Sequence, residues 1–159
     1  VRDGWDFLSD DTVFLTRPAG NASARGFSAW GFSDEIDCSD DTAGMLAELR
    51  HLVGEPTLAG RSKHPVDVEK TFGVLPVPAC RPHALVLPAI SGERQSVLTA
   101  VSASRALRDL LPNVLLTQPA ATQAHLDLLA GLVRDIPCYS LATGTDLSSV
   151  SRCLQEILG

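Results

Sequence analysis

Asp10 and Asp11 stand side by side between two apolar, strand-like runs, with Trp5, Phe7 and Leu8 before them and Val13, Phe14 and Leu15 after. Ser9-Asp10-Asp11-Thr12 suits a break in a ladder, because short polar side chains bond their own backbone there. Adjacent carboxylates between buried strands carry a desolvation cost that a divalent metal, another cation or a substrate proton can offset. The same string also reads as a turn whose aspartates face water, and the residues alone leave both readings open. A second acidic run, Asp34 to Asp41, lacks the central glycine and closing glutamate of an EF-hand loop. It reads instead as a helix start, capped by Ser39 or Asp40, with acids favoured in the first turn. The histidines, His51, His64, His83 and His125, show neither triad nor metal-ligand spacing and are expected at a surface or interface. The four cysteines form no Cys-x-x-Cys pair. Cys138 and Cys153 read as buried thiols acting as small hydrophobes, and a reducing cytoplasm fits this usage.

The elements that would position these groups follow from periodicity and punctuation. Residues 5–16 read as two short strands around the acid pair, and 24–30 as a third, weakened by Gly26. A helix is expected from Thr42 to Val53, with Met45, Leu46, Leu49, Leu52 and Val53 on its apolar face, ended by Gly54 and Pro56. Residues 55–62 form a loop. Val66 and Val68 alternate with charged neighbours, as in a strand with one wet face. Pro76, Pro78 and Pro82 mark an extended connector, and Ala84–Pro88 a buried strand. Beyond the loop at Ser91–Arg94 the chain is expected to turn helical. Helices are placed over Arg105–Leu111, Thr122–Arg134 and Leu147–Leu158, with a short strand at Cys138–Leu141; Asn113–Thr117 fits either state. The expected class is mixed α/β, strands in the first half and helices in the second.

Bulk properties narrow the function. At 159 residues one domain, 1–159, is the default, and 45% hydrophobic content supplies a core. A net charge of −6 without a basic block argues against nucleic acid as a partner. No apolar run approaches the roughly 18 residues of a spanning helix, so no membrane span is expected.

The string Gly4-Trp5-Asp6-Phe7-Leu8-Ser9-Asp10-Asp11-Thr12-Val13 resembles a segment of the HPr serine kinase/phosphorylase family, particularly its HprK-like bacterial relatives. There a glycine, two or three apolar residues and an Asp-Asp pair directly follow the helix after the P-loop. Arg61–Gly73 is similar to that family's Arg-Gly-Leu-Gly-Ile-Ile-Asp-Val-x-x-Leu-Phe-Gly signature, matching without gaps at Arg61, Asp67, Val68, Phe72 and Gly73. Ser62 and His64 replace its early glycines. Tyr139-Ser140-Leu141 and Gly144-Thr145-Asp146-Leu147 resemble the end of such domains, so the likeness spans nearly the whole chain.

The resemblance implies a phosphoenolpyruvate carboxykinase-like P-loop kinase fold using ATP and Mg²⁺ to phosphorylate a serine hydroxyl of an acceptor protein or peptide. Asp10 and Asp11 match the positions for metal binding and for the general base, in either assignment. Arg61 and Lys63 become candidates to contact substrate phosphate or the acceptor, with Arg94 a weaker one, and His64 lies near that site in sequence. The resemblance also admits a homo-oligomer. One departure matters: the 159 residues contain no Gly-x-x-x-x-Gly-Lys-Ser/Thr motif. Either that segment lies upstream of Val1, or the scaffold has become a non-catalytic binding or regulatory module. In both cases the chain as given is expected to be inactive with ATP. An incomplete sheet would also expose apolar surface and favour self-association.

Overall fold

The first strand, β1, is Val13–Thr16, the β-branched and aromatic run that follows the acid pair. The computed structural model describes residues 4–17, 26–32, 36–57, 63–114 and 121–158. Arg61, the start of the expected third strand at 24–25 and most of 113–117 lie outside the described residues. The chain divides into two compact units, Val1–Leu15 with Ser28–Cys80, and Thr16–Phe27 with Arg81–Gly159. A mixed α/β fold is present, with strands and helices in both.

In the first unit, β1 joins β2 (Ser28–Gly31). The expected strand before the acid pair is reduced to one bridge between Phe7 and Pro76, because the prolines at 76 and 78 limit the ladder there. Val13 and Phe14 are exposed, so the acid pair does not sit between buried strands as expected. Next come β3 (Ile36–Cys38) and α1 (Asp40–Met45), capped by Ser39, whose Oγ accepts the Thr42 N–H. The single helix expected to reach Val53 stops early. Gly44 weakens it and Leu46 turns extended (φ −112°, ψ 121°), after which Ala47–Leu52 is a 3₁₀ helix. The break lets Leu46, Leu49 and Leu52 all pack on the cluster formed by Cys38, Ala43 and Val66.

β4 (His64–Val66) pairs antiparallel with β3, setting Cys38 opposite His64 and Asp37 opposite Pro65. Val68, expected in a strand, instead opens α2 (Val68–Phe72). Asp67 caps it by accepting the Lys70 N–H at 3.1 Å, and Gly73 ends it in the left-handed region. β5 (Ala79–Cys80) then pairs with β2.

The second unit holds β6 (Leu85–Ile90), β7 (Val97–Ala100), α3 (Ala103–Leu110), α4 (Thr122–Asp135), β8 (Cys138–Thr143) and α5 (Leu147–Leu158). Its sheet runs β6-β8-β7, with β6 parallel and β7 antiparallel to β8. The expectation of a helical second half is therefore corrected: β-branched Val97 and Thr99 make a strand where helix was expected. Pro88 is tolerated because β6 is an edge strand. Ala106, Val133 and Cys138 form the core with Leu85, Leu87, Val101 and Leu107 around them. Cys138 and Cys153 are buried free thiols, as expected. Among the described residues no helix is long and apolar enough to cross a membrane.

A polar staple closes this unit. Ser149 is 2% exposed, and its Oγ accepts the Ser96 N–H at 2.9 Å while Ser96 Oγ accepts the Gly144 N–H at 3.0 Å. A Cβ on Gly144 would fall 2.6 Å from both the Arg94 carbonyl oxygen and the Gln95 carbonyl carbon. Gly144→Ala is therefore expected to destabilise the protein by about 1–3 kcal/mol in urea unfolding, and an unchanged midpoint would contradict this. Asp146, just before α5, is held below its ordinary pKa of 3.8 by hydrogen bonds from the Ser148 side chain and then Gln95. A depressed carboxyl stabilises above its unfolded pKa, and that stability disappears as pH falls through the lower folded value. The melting-temperature gap between wild type and Asp146→Asn should thus narrow in acid; a gap independent of pH would refute the assignment.

Candidate functional site

The acid pair lies in a turn fastened at both ends. Ser9 Oγ lies 2.8 Å from the Thr12 carbonyl and 2.9 Å from the Phe32 carbonyl, and its single proton is shared between them. Asp10 Oδ2 accepts the Asp37 N–H at 3.3 Å. Pro65 stands opposite Asp37 across the ribbon and brings no N–H, and the Asp37 N–H goes to Asp10. Asp10 and Asp11 are both exposed. The desolvation cost anticipated from flanking buried strands does not arise, so the fold itself does not require a compensating cation at this pair.

Lys63 is exposed at the entry to β4 and makes no ion pair among the described residues. Its charge is felt at Cys38, where it opposes the stronger effects of burial and of Asp40, which together raise that thiol's pKa. Cys38 is therefore a protonated, buried group, its Sγ–H donating to the Ser39 carbonyl, and not a nucleophile. Arg94 lies in the second unit, where its carbonyl accepts the Asp146 N–H. The structure thus brings Asp10 to the β3–β4 ribbon that Lys63 begins. Arg94 belongs to another part of the fold.

His64 departs from expectation. It is buried, 5% exposed, rather than a surface residue. Its Nε2 lies 2.8 Å from Asp40 Oδ1, while the Asp40 side chain remains 55% exposed. β4 sets the imidazole beside the first turn of α1, and the carboxylate satisfies a ring nitrogen that burial would otherwise leave unpaired. Asp40, Asp41, Glu55 and His64 line a cleft of about 510 Å³ together with Ser39 and Thr57. No spacing in the sequence announces this pair, whose members are 24 positions apart. Only the β3–β4 register joins them.

Among the described residues no group of three or more His, Cys, Asp or Glu side chains could hold a metal ion. A cation at Asp10 and Asp11 would take its other ligands from water and phosphate. This suits Mg²⁺, which keeps several waters and uses one or two protein carboxylates. No protein-family model, curated protein or solved structure matches this chain.

Removing the Asp40 carboxylate leaves the buried imidazole short of an acceptor. Asp40→Ala is expected to cost about 1–3 kcal/mol in urea unfolding. A change within about 0.5 kcal/mol, typical of a surface substitution, would show that the pair does not anchor α1.

Proposed function

We propose that the chain belongs to a phosphoryl-transfer enzyme of HprK-like type, with a phosphoenolpyruvate carboxykinase-like fold, acting on a serine hydroxyl of an acceptor protein or peptide. The observation that carries this reading is the fastened Asp10–Asp11 turn. Asp10 is oriented by the Asp37 amide while Asp11 and the rest of the Asp10 carboxylate face water. The likeness of Gly4–Val13 and Arg61–Gly73 to the family's segments supports the same roles.

In this reading the aspartates would hold Mg²⁺, which when bound offsets charge on the transferring phosphate. One carboxylate takes the serine proton as the hydroxyl oxygen forms the new P–O bond and ADP leaves with the old one. Lys63, exposed and free of an ion pair among the described residues, and Arg61 supply positive charge for the phosphates or the acceptor. The phosphate-cradling loop and its lysine are not among these 159 residues. The chain is assigned the metal and acceptor side of the reaction, and no turnover with ATP alone.

A second reading, a non-catalytic binding or regulatory module on the same scaffold, draws support from the openness of the pair. Neither aspartate is part of the acidic cleft beside α1. One titration separates the two. Amide NMR shifts on adding Mg²⁺ should concentrate at Asp10, Asp11 and Asp37 and vanish in the Asp10→Asn, Asp11→Asn double variant. Shifts no larger there than at exposed Asp109 or Asp127 would favour the module. Mg-ATP should show no dissociation constant below about 1 mM with this chain; clear binding at that level would overturn the need for a P-loop.

A further inference from the structure

Arg17, Arg134 and Asp135 form a charge cluster in the second unit that the reading above does not use. Arg17 Nη2 donates to Asp135 Oδ2 at 3.1 Å, and Arg134 Nε reaches Asp135 Oδ1 at 3.4 Å, so both carboxylate oxygens are taken by guanidiniums. The Arg17 guanidinium carbon also lies 5.1 Å from the ring centroid of buried Phe27, a cation–π arrangement. α4 leaves space for it: a Cβ at Gly131, one turn before Asp135, would come 3.2 Å from Phe27 Cζ and 3.3 Å from Arg17 Nη1.

Beside this cluster is a cleft of about 540 Å³, with Arg81, His83, Arg134 and Asp135 as its polar lining and Phe27 and Ile136 as apolar wall. Arg81 and His83 are both exposed on either side of half-buried Pro82. Arg81 donates to no carboxylate among the described residues. Arg81 and Arg134 line the cleft with a single carboxylate, Asp135, a formal excess of one positive charge with His83 neutral, and Arg17 pairs with that carboxylate from outside the lining. This concentration occurs on a chain whose net charge is −6.

We propose that this cleft binds the phosphate group of a small molecule. The planar guanidinium fork matches phosphate oxygens in pairs of parallel hydrogen bonds. Arg17 and Arg134 neutralise Asp135, and a phosphomonoester offers three terminal oxygens to Arg81 and Arg134 together, where a carboxylate offers two. The volume falls in the range of small-molecule sites, roughly 300–1,000 Å³, and Phe27 and Ile136 offer an apolar surface to the rest of an ester. The proposal does not depend on the phosphoryl-transfer reading, since it uses none of the same residues.

Calorimetric titration of the 159-residue chain at low ionic strength tests it, with inorganic phosphate, phenyl phosphate and citrate as probes. Saturable binding of a phosphate-bearing probe is expected with a dissociation constant at or below about 1 mM. Tighter binding of phenyl phosphate identifies a phosphomonoester as the ligand, and equal binding of both identifies free phosphate. The Arg81→Gln, Arg134→Gln double variant should weaken binding by about tenfold or more, a loss of one dominant charged contact. Arg152→Gln, in the same unit but hydrogen-bonded to Gln95, should leave it unchanged. Because Arg81 and Arg134 are exposed, circular dichroism and melting of the double variant should match wild type. Absence of saturable phosphate binding, equal weakening in Arg152→Gln, or citrate binding as tightly as phosphate would each overturn the proposal.

Discussion

The pairing of β3 with β4 is the constraint on which the first unit depends. Among the described residues this ribbon pairs Ile36–Cys38 with His64–Val66, and each of these three cross-strand pairs has a consequence. Ile36 opposite Val66 starts the apolar cluster. Asp37 opposite Pro65 holds its amide where the Asp10 carboxylate takes it. Cys38 opposite His64 brings the imidazole to Asp40. A one-residue slip would turn the inward side chains to the other face and undo all three, since side chains alternate along a strand. The acid turn, the capped first helix and the buried histidine are therefore held by one register.

The second unit is organised differently. β8 lies at the centre of its sheet, parallel to β6 and antiparallel to β7, with α3 and α4 spanning the connection from β7 to β8. Its core is built from Ala106, Val133 and Cys138, small residues that let elements approach closely. Where the chain leaves β8, apolar packing gives way to hydrogen bonds among Ser96, Gly144 and Ser149. A buried serine network of this kind is worth keeping only when its groups are satisfied, and here the hydroxyls and the Gly144 amide find partners.

Much of this was legible in the sequence, for identifiable reasons. α4, α5 and the Ser39 cap follow from apolar spacing and a hydroxyl side chain, both local signals. The failures mark places where tertiary contacts overrode local pattern. Leu46 breaks a helix that its neighbours would continue, since the core gains three leucines by the break. Val68 reads as a strand partner of Val66 until Asp67 is recognised as a cap. β7 gains its strand character by pairing with β8, about 40 residues further on. The His64–Asp40 pair and the Arg17–Asp135 pair span 24 and 118 positions, and neither leaves a short motif behind. At the acid pair the residues left two readings open, metal ligands or a turn facing water. The structure shows an exposed turn whose carboxylates remain available.

The account stands on Asp10 and Asp11 being a prepared seat for a divalent cation rather than two solvated charges in a loop. Anomalous diffraction from crystals grown with Mn²⁺, a hard ion with similar oxygen preferences, examines that seat atom by atom. The account predicts an anomalous peak within ligand distance of an Asp10 or Asp11 carboxylate oxygen, with the Asp37–Asp10 hydrogen bond kept. Peaks at other acidic residues, with none at this pair, would contradict it.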